Sequence, residues 1–588
     1  MAAITSSAPS GEDAVEPADP PRRQVPGWYW PLGVGALAAL MRAWLVADRV
    51  AYSNRDEMRY LAVARMLAGE VDWYLEGGTF SPGYPTLVAP IHWLTSDPAT
   101  VQRFALALNA LLGGLLAALL VLLARRMTRL SAPWCAAAAL LTASVPGAFL
   151  QSNWAAPETL MAAILVAVVL ASSHLIDRPR FTTGLVIVVL APFGYLAHGR
   201  FVPLVVSAAV LIGWLAYQRR LPVAQAGALV AVLGILTLAA QRYTYWAIDV
   251  TWIETKSASR VDSVLEQVRE PARIARTTLG MTWYQLVTTL GATGLGAWVT
   301  AAGLGRLRAA APTGLGRRDS AVVIVYTVPL AALTTVFMAG AGTAERPQQV
   351  AHMVYGRYWE AFVAPLVLLG LLYVVSAGRG ALRRSIGVLL AVTAGSALLL
   401  VAVRGDDITE ATARNGGLGI GRRIVGLVPF LRDRTELPVF EITLIALVMM
   451  AIAYAPVLLL RGAVAARAVT LAILAVFTVV GIAMGDRYLD PGVPDPDRLD
   501  AISVPFESGV VPPGSTVHFT GNGLGRVWFR YQSEVTDFAL PRFDPADPDR
   551  PDYLVGRRRE PVMRRWGAEV VWEDPYSNVV IWAVPPGE

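Results

Sequence analysis

Lysine is almost missing from these 588 residues: Lys256 stands alone among 50 basic side chains, so arginine carries nearly all the positive charge. Together with abundant alanine, this reads as the imprint of a GC-rich coding genome. Charge of either sign is scarce, at 16% of residues, where an ordinary soluble domain carries about a quarter. Cysteine occurs once, as Cys135 inside an apolar run, which excludes an intramolecular disulfide and a thiolate metal site. No His or Cys spacing fits a zinc centre. The glycine-rich stretch Gly416–Gly421 follows no strand pattern and so fails as a dinucleotide-binding loop.

What the chain has instead is hydrocarbon. Hydrophobic residues make up 55% of it and the mean hydropathy is +0.49. They fall in runs of about 18–22 residues, the length that crosses roughly 30 Å of bilayer core. Leu111–Leu123 and Ile164–Ser172 contain no charge at all. The reading is an all-α polytopic membrane protein with about 13 transmembrane helices, counted with a window of about 19 residues. The spans are Trp28–Ala47, Gln102–Leu123, Ala132–Leu150, Glu158–Ile176, Phe181–Leu196 and Phe201–Tyr217. Then come Pro222–Ala240, Trp283–Leu304, Ser320–Ala339, Tyr358–Ser376, Ile386–Val403, Glu441–Leu460 and Val469–Met484.

The net charge of +6 invites a nucleic-acid partner, but the arginines sit in short loops between apolar runs, where they orient a membrane protein. Arg22, Arg23, Arg125, Arg126, Arg129, Arg178, Arg180, Arg219 and Arg220 alternate onto one side, followed by the Arg306–Arg318, Arg379–Arg384 and Arg461–Arg467 groups. No nucleic acid is therefore expected. The N-terminus is expected to be cytoplasmic and the C-terminus outside a cell membrane. Residues 1–25 lack an apolar core and read as a disordered cytoplasmic tail, not a signal peptide. Residues 26–484 form the membrane domain, with outer loops at 48–101, 241–282, 340–357 and 404–440. Residues 485–588 change composition and carry short β-like runs, Thr516–Thr520, Val527–Tyr531, Tyr553–Val555, Ala568–Trp572 and Val579–Val584. The last two flank a turn signature at Glu573–Asn578, so a small C-terminal extracytoplasmic α/β domain is expected.

All long segments lie on the outer side, and the candidate chemistry lies there too. Asp56 and Glu57 follow the first span as adjacent acids, suited to a base and a metal or substrate contact. Asn54 with Glu57 three residues on is equally a capping box, and Asp56 in a first helical turn suits the dipole. Ser81-Pro82-Gly83-Tyr84-Pro85 makes a rigid turn at the interface. Arg200, in His198-Gly199-Arg200, and Arg357, before Tyr358, each open a helix running inward, against both the positive-inside bias and the helix dipole. An anion held between them accounts for both; snorkelling toward lipid head groups accounts for either alone. Glu158 follows Pro157 at the outer start of the fourth span, a position also explained by capping. Glu254, Lys256 and Arg260 read as a solvated charge run, and His352 has no assigned role.

In series, these features resemble the GT-C superfamily, especially its protein O-mannosyltransferase and aminoarabinose-transferase branch. The match rests on Arg55-Asp56-Glu57-Met58-Arg59-Tyr60, the Pro-rich Ser81–Pro85 segment, Glu158 opening the fourth span, and Gly356-Arg357-Tyr358. Two features depart from it: Thr79 and Ser81 stand where many relatives carry a basic residue, and Asn153 where an aspartate is common. The resemblance implies a glycosyltransferase using a polyprenyl-phosphate sugar donor at the outer face. In it, Asp56 is the base acting on a glycan, lipid or protein acceptor, with inversion. Arg357, Arg200 and His198 hold the donor phosphate, and Tyr84, Glu158 and Tyr358 contact substrate. A divalent cation, Mg or Mn, at Asp56 and Glu57 is left open by the resemblance. A transporter or flippase for lipid-linked or anionic substrates, and a non-catalytic cell-envelope assembly partner, are the competing expectations.

Overall fold

A computed structural model describes residues 27–47, 55–69, 80–95, 97–251, 268–305, 315–341, 354, 356–414, 425–427, 430, 437–489, 504–519, 550–557, 566–574 and 579–586. The chain enters with α1 (Tyr29–Val46), then a short helix α2 (Arg55–Leu67) and a turn of helix α3 (Gly83–Val88). Next are α4 (Pro98–Met127), α5 (Ala132–Ala143), α6 (Pro146–Gln151), α7 (Glu158–Asp177) and α8 (Phe181–Ala197). The middle holds α9 (Val202–Tyr217), α10 (Val223–Thr251), α11 (Pro271–Thr288), α12 (Ala292–Leu304) and α13 (Arg317–Ala341). The bundle closes with α14 (Arg357–Ser376), α15 (Arg379–Arg414), α16 (Val439–Leu459) and α17 (Ala463–Leu489).

Ten of the described helices are long and apolar enough to span a bilayer, or eleven if the bent pair α11–α12 counts as one span. Every expected span lies on a helix, but three of the thirteen are not among these ten. The third, Ala132–Leu150, is broken between α5 and α6, because Pro146 cannot donate to α5 and starts a new helix. The eighth, Trp283–Leu304, turns by 110° between α11 and α12. Leu290 (φ 47°) and Gly291 (φ 78°) adopt left-handed backbone there, which glycine permits at low cost. The fifth, α8, has 17 residues and a Pro192 inside it. Helix α10 runs eleven residues beyond the expected Ala240 boundary, and α15 likewise extends to Arg414 into what was expected as an outer loop.

These helices are apolar around most of their circumference, so their outer surfaces stay hydrophobic: Leu40, Leu111, Ile235 and Leu444 are all more than 60% exposed. Such a surface suits lipid contact and not water. Helices α7 and α14 sit at the centre, with 89% and 83% of their apolar windows buried. Close crossings bring the bundle together through small residues, which allow backbones to approach where lipid offers no hydrophobic drive. A Cβ on Gly296 of α12 would lie 1.8 Å from the Leu366 carbonyl of α14, and one on Gly370 would lie 2.0 Å from the Ala292 carbonyl.

The basic loops share one end of the bundle. Arg125 donates to the Gly27 carbonyl, Arg126 pairs with Asp177 and approaches Asp319 at 3.8 Å, and Ser173 donates to Asp319. Beyond the bundle, a four-stranded sheet has the order β1-β2-β4-β3, from β1 (Val517–Phe519), β2 (Tyr553–Arg557), β3 (Glu569–Glu573) and β4 (Val579–Ala583). The expected β3–β4 hairpin is antiparallel, whereas β1 and β2 pair in parallel, which requires a crossover connection. The expected strand Val527–Tyr531 lies outside the described residues.

Gly296→Val or Gly370→Val is expected to push α12 and α14 apart, because the clashing atoms are backbone and cannot rotate away. Overpacking of this kind costs about 1–3 kcal/mol or more. Thermal melting in detergent should fall for both, while Gly213→Ala, with open space at its Cβ, should melt like the parent. Equal melting of all three would refute the close crossing.

Candidate active site

The end of the bundle opposite Arg125, Arg126 and Asp177 collects the singled-out residues from five separate segments. The first is the start of α2. Glu57 is 1% exposed, and its Oε1 accepts from Gln102 Nε2 of α4 (3.3 Å) and from the Ala155 backbone amide (2.9 Å). The carboxylate thus ties α2 to α4 and to the loop entering α7. Asp56 lies one residue earlier on α2, with its side chain outside the described residues.

The Pro-rich segment docks beside it. Tyr60 of α2 meets Phe80 and Tyr84 edge-on, at 4.8 and 5.9 Å between ring centres, and Arg59 stacks on Phe80. Tyr84 is fully buried and donates to the Ala105 carbonyl at 3.3 Å. Burial first, then the negative fields of Glu57 and Glu158, pushes its phenol well above the ordinary value, so it remains a protonated donor. Ser81 Oγ accepts from the Gly199 amide at 3.2 Å, and Gly83 packs so tightly on the end of α8 that a Cβ would meet Ala197 N at 2.6 Å. The serine that stands in place of a basic residue therefore fixes the backbone next to Arg200.

Arg200 lies in a 3-10 turn, Gly199–Phe201, ahead of α9 and is 6% exposed. Its guanidinium lies 3.8 Å above the Tyr358 ring and contacts His198 through Nε and Nη2, at 3.3 and 3.0 Å. No carboxylate pairs with it among the described residues, and its buried Nη1 has no hydrogen-bond partner there. Tyr358 and His198 thus act on Arg200, holding its plane and its edge.

Glu158 and Arg357 are the first residues of α7 and α14. They form a buried ion pair in which Glu158 Oε1 accepts from Arg357 Nε at 2.8 Å and lies 2.6 Å from Nη2. The arginine also stacks on the Trp154 ring at 5.2 Å. This resolves the misfit of a cation at a helix N-terminus: an acid at the neighbouring N-terminus neutralises it. Glu158 Oε2 remains buried without a partner among the described residues, as do both amide atoms of Asn153 and Nε1 of Trp154. Buried polar atoms in native proteins are normally satisfied, so such a group marks a surface shaped for a polar ligand or ordered water.

Several residues here were not foreseen. Glu360, one turn below Arg357 and 4% exposed, accepts from Gln151 of α6 and from Tyr284 of α11. Gln285 donates to the Gly356 carbonyl at 3.3 Å, and a Cβ on Gly356 would overlap the Tyr284 ring at 1.8 Å. The only signal for Glu360 was an acid one turn after Arg357. Arg42, 2% exposed inside α1, donates to the Ala143 carbonyl at the α5 break, to the Ala38 carbonyl and to Ser152 Oγ. It thereby satisfies a carbonyl that the Pro146 break would otherwise leave open. His352, the 254–260 charge run and Gly416–Gly421 lie outside the described residues. For a divalent cation, no three potential His, Cys, Asp or Glu ligands gather among the described residues, and Glu57 Oε1 already takes two N–H donors.

The chain aligns with ArnT from Cupriavidus metallidurans bound to undecaprenyl phosphate, with a TM-score of 0.52 and 14% identity over 95% of this chain and 99% of that one. The apo structure of the same protein gives a TM-score of 0.51 with equal identity and coverage. At this identity the likeness is one of fold. No family model and no curated protein sequence matches the chain.

Removing one partner of a buried ion pair strands the other charge and costs about 3–5 kcal/mol. Glu158→Ala should lower the melting temperature sharply, and adding Arg357→Met should restore much of the loss. A double-mutant cycle with simply additive losses would show that the pair is not coupled.

Proposed function

We propose that the protein transfers a sugar from a polyprenyl-phosphate donor to an acceptor hydroxyl at the outer face of the membrane, with inversion at the anomeric carbon. The supporting observation is the set of buried, unpartnered polar atoms at Asn153, Trp154, Glu158 and Arg200, set around a compensated cation and an uncompensated one. A sugar phosphate offers hydroxyls to the first three and a charged oxygen to Arg200. The fold neighbour bound to undecaprenyl phosphate is consistent with a lipid-linked donor. The arginine-rich end of the bundle faces the cytoplasm in this reading, and the C-terminal sheet lies outside. Nucleotide sugars do not reach that outer face, which favours a sugar carried across on lipid.

Asp56 removes the acceptor hydroxyl proton, and the oxygen attacks the anomeric carbon as its bond to phosphate breaks. The bonding pair leaves with the polyprenyl phosphate. Arg200, held by His198 and Tyr358, meets the charge developing on the leaving phosphate, with Arg357 adding a partly neutralised second cation. Such preorganised stabilisation is commonly the largest catalytic contribution. Glu158 Oε2 accepts from a sugar hydroxyl, and Glu57 ties α2 to α4 and to the loop entering α7. Tyr84, buried and bonded to Ala105, supports the floor of the site.

A transport reading has one observation in its favour: the 110° bend between α11 and α12, together with Arg42 buried in α1, matches the broken helices and interior charges of transporters. Chemistry separates the two. Membranes holding the protein, given a panel of polyprenyl-phosphate sugars and acceptors, should release free polyprenyl phosphate. Losing a general base typically costs about 10²–10⁴ in rate, so Asp56→Asn should fall by that factor. Arg200→Ala should lose about 10²-fold or more in kcat. Donor crossing the membrane without release of polyprenyl phosphate, from correctly inserted protein, would sink the transferase reading.

A further inference from the structure

The opposite end of the bundle carries a second polar site, which the proposed transfer does not use. A cavity of about 910 Å³ opens where the ends of α7, α9 and α12 meet the start of α13. Its size is near the top of the usual range for small-molecule sites, about 300–1,000 Å³. One wall is cationic, formed by Arg220, Arg317 and Arg318. Asp177 and Asp319 line it as well, but both face a fourth arginine, Arg126, and Ser173 donates to Asp319 at 2.6 Å. The acids are therefore engaged from behind, and the arginine wall keeps a net positive field. Arg220 Nη1 is buried and has no hydrogen-bond partner among the described residues. The other wall is apolar. Val210 and Trp214 line it while also standing exposed on the lipid-facing side of α9.

From this pairing we propose that the cavity binds an anionic phospholipid, with the head-group phosphate on the arginine wall and the acyl chains leaving past Trp214 and Val210 into the bilayer. A cation wall continuous with an exposed apolar helix face complements a molecule that has both parts; a soluble anion uses only the first. The site is independent of the outer-face chemistry and stands or falls separately from it.

The test uses the detergent-purified full-length protein and native mass spectrometry with phosphatidylglycerol, phosphatidylcholine or glycerol phosphate. Each arginine near an anionic lipid contributes about fivefold in affinity, so phosphatidylglycerol should be retained at least about fivefold over phosphatidylcholine. The double variant Arg220→Gln/Arg317→Gln should abolish that preference. Gly316→Glu is a second variant: its Cβ meets only Asp319 Oδ2, at 3.9 Å, so it adds an anion at the cavity without displacing a neighbour. It should also bring the two lipids to parity. Equal retention of both lipids by the parent would overturn the proposal, as would an unchanged preference in whichever variant folds. Glycerol phosphate bound as tightly as phosphatidylglycerol would reassign the site to a soluble anion and overturn it too.

Discussion

A carboxylate and a guanidinium, both cut off from solvent, join the two central helices at their first residues. The Glu158–Arg357 pair is 7% and 3% exposed, so each charge has given up most of its hydration. That loss is tolerable only while both partners are present and well oriented. The helix dipole splits the two: it favours Glu158 at the start of α7 and opposes Arg357 at the start of α14. The arginine is therefore kept in place by its neighbour's acid and by the Trp154 face. The candidate site is built around where these two N-termini lie.

The surroundings act as supports for that junction. Gly356 can bring Arg357 to its position only because it has no side chain where the Tyr284 ring lies. Tyr284 is there because α11 ends close by, before the left-handed turn at Leu290 and Gly291 reverses the chain into α12. Glu360 then draws Gln151 and Tyr284 together beneath the pair. Arg42 performs a related task one layer away, bonding a carbonyl freed by the α5–α6 break. Irregular backbone inside a membrane domain survives where protein groups meet its open carbonyls.

Much of this was legible in the chain. Uncharged runs of the right length identified the helices, and the two arginines that open helices were the sequence's pointer to the candidate site. The turn at Glu573–Asn578 marked the β3–β4 hairpin correctly, because hairpin signals are local. The 110° bend was not legible, since Trp283–Leu304 carries no charge and hydropathy carries no direction. The partner of Arg357 was hidden for a similar reason: Glu158 is 199 residues away, and capping explained it locally. The resemblance implied Tyr84 as a substrate contact; its hydroxyl is bonded to Ala105 inside the fold, a partner that its loop sequence could not show.

The two outer arginines looked alike in sequence, each opening an inward-running helix, but the structure gives them different electrostatic standing. Arg357 sits against Glu158, so an arriving phosphate would meet a nearly neutral pair and gain little from it. Among the described residues Arg200 is in contact with an aromatic face and an imidazole, neither of which cancels its charge, and one buried N–H has no partner there. In a low-dielectric site a cation with no carboxylate in direct contact acts more strongly on an anion than one held in an ion pair, because the opposing charge lies farther away. The compensated pair has its own use, since its second carboxylate oxygen is an acceptor held still by the arginine. One site thus offers a fixed acceptor for hydroxyls and a separate cation for charge, a division suited to a ligand that is half sugar and half phosphate.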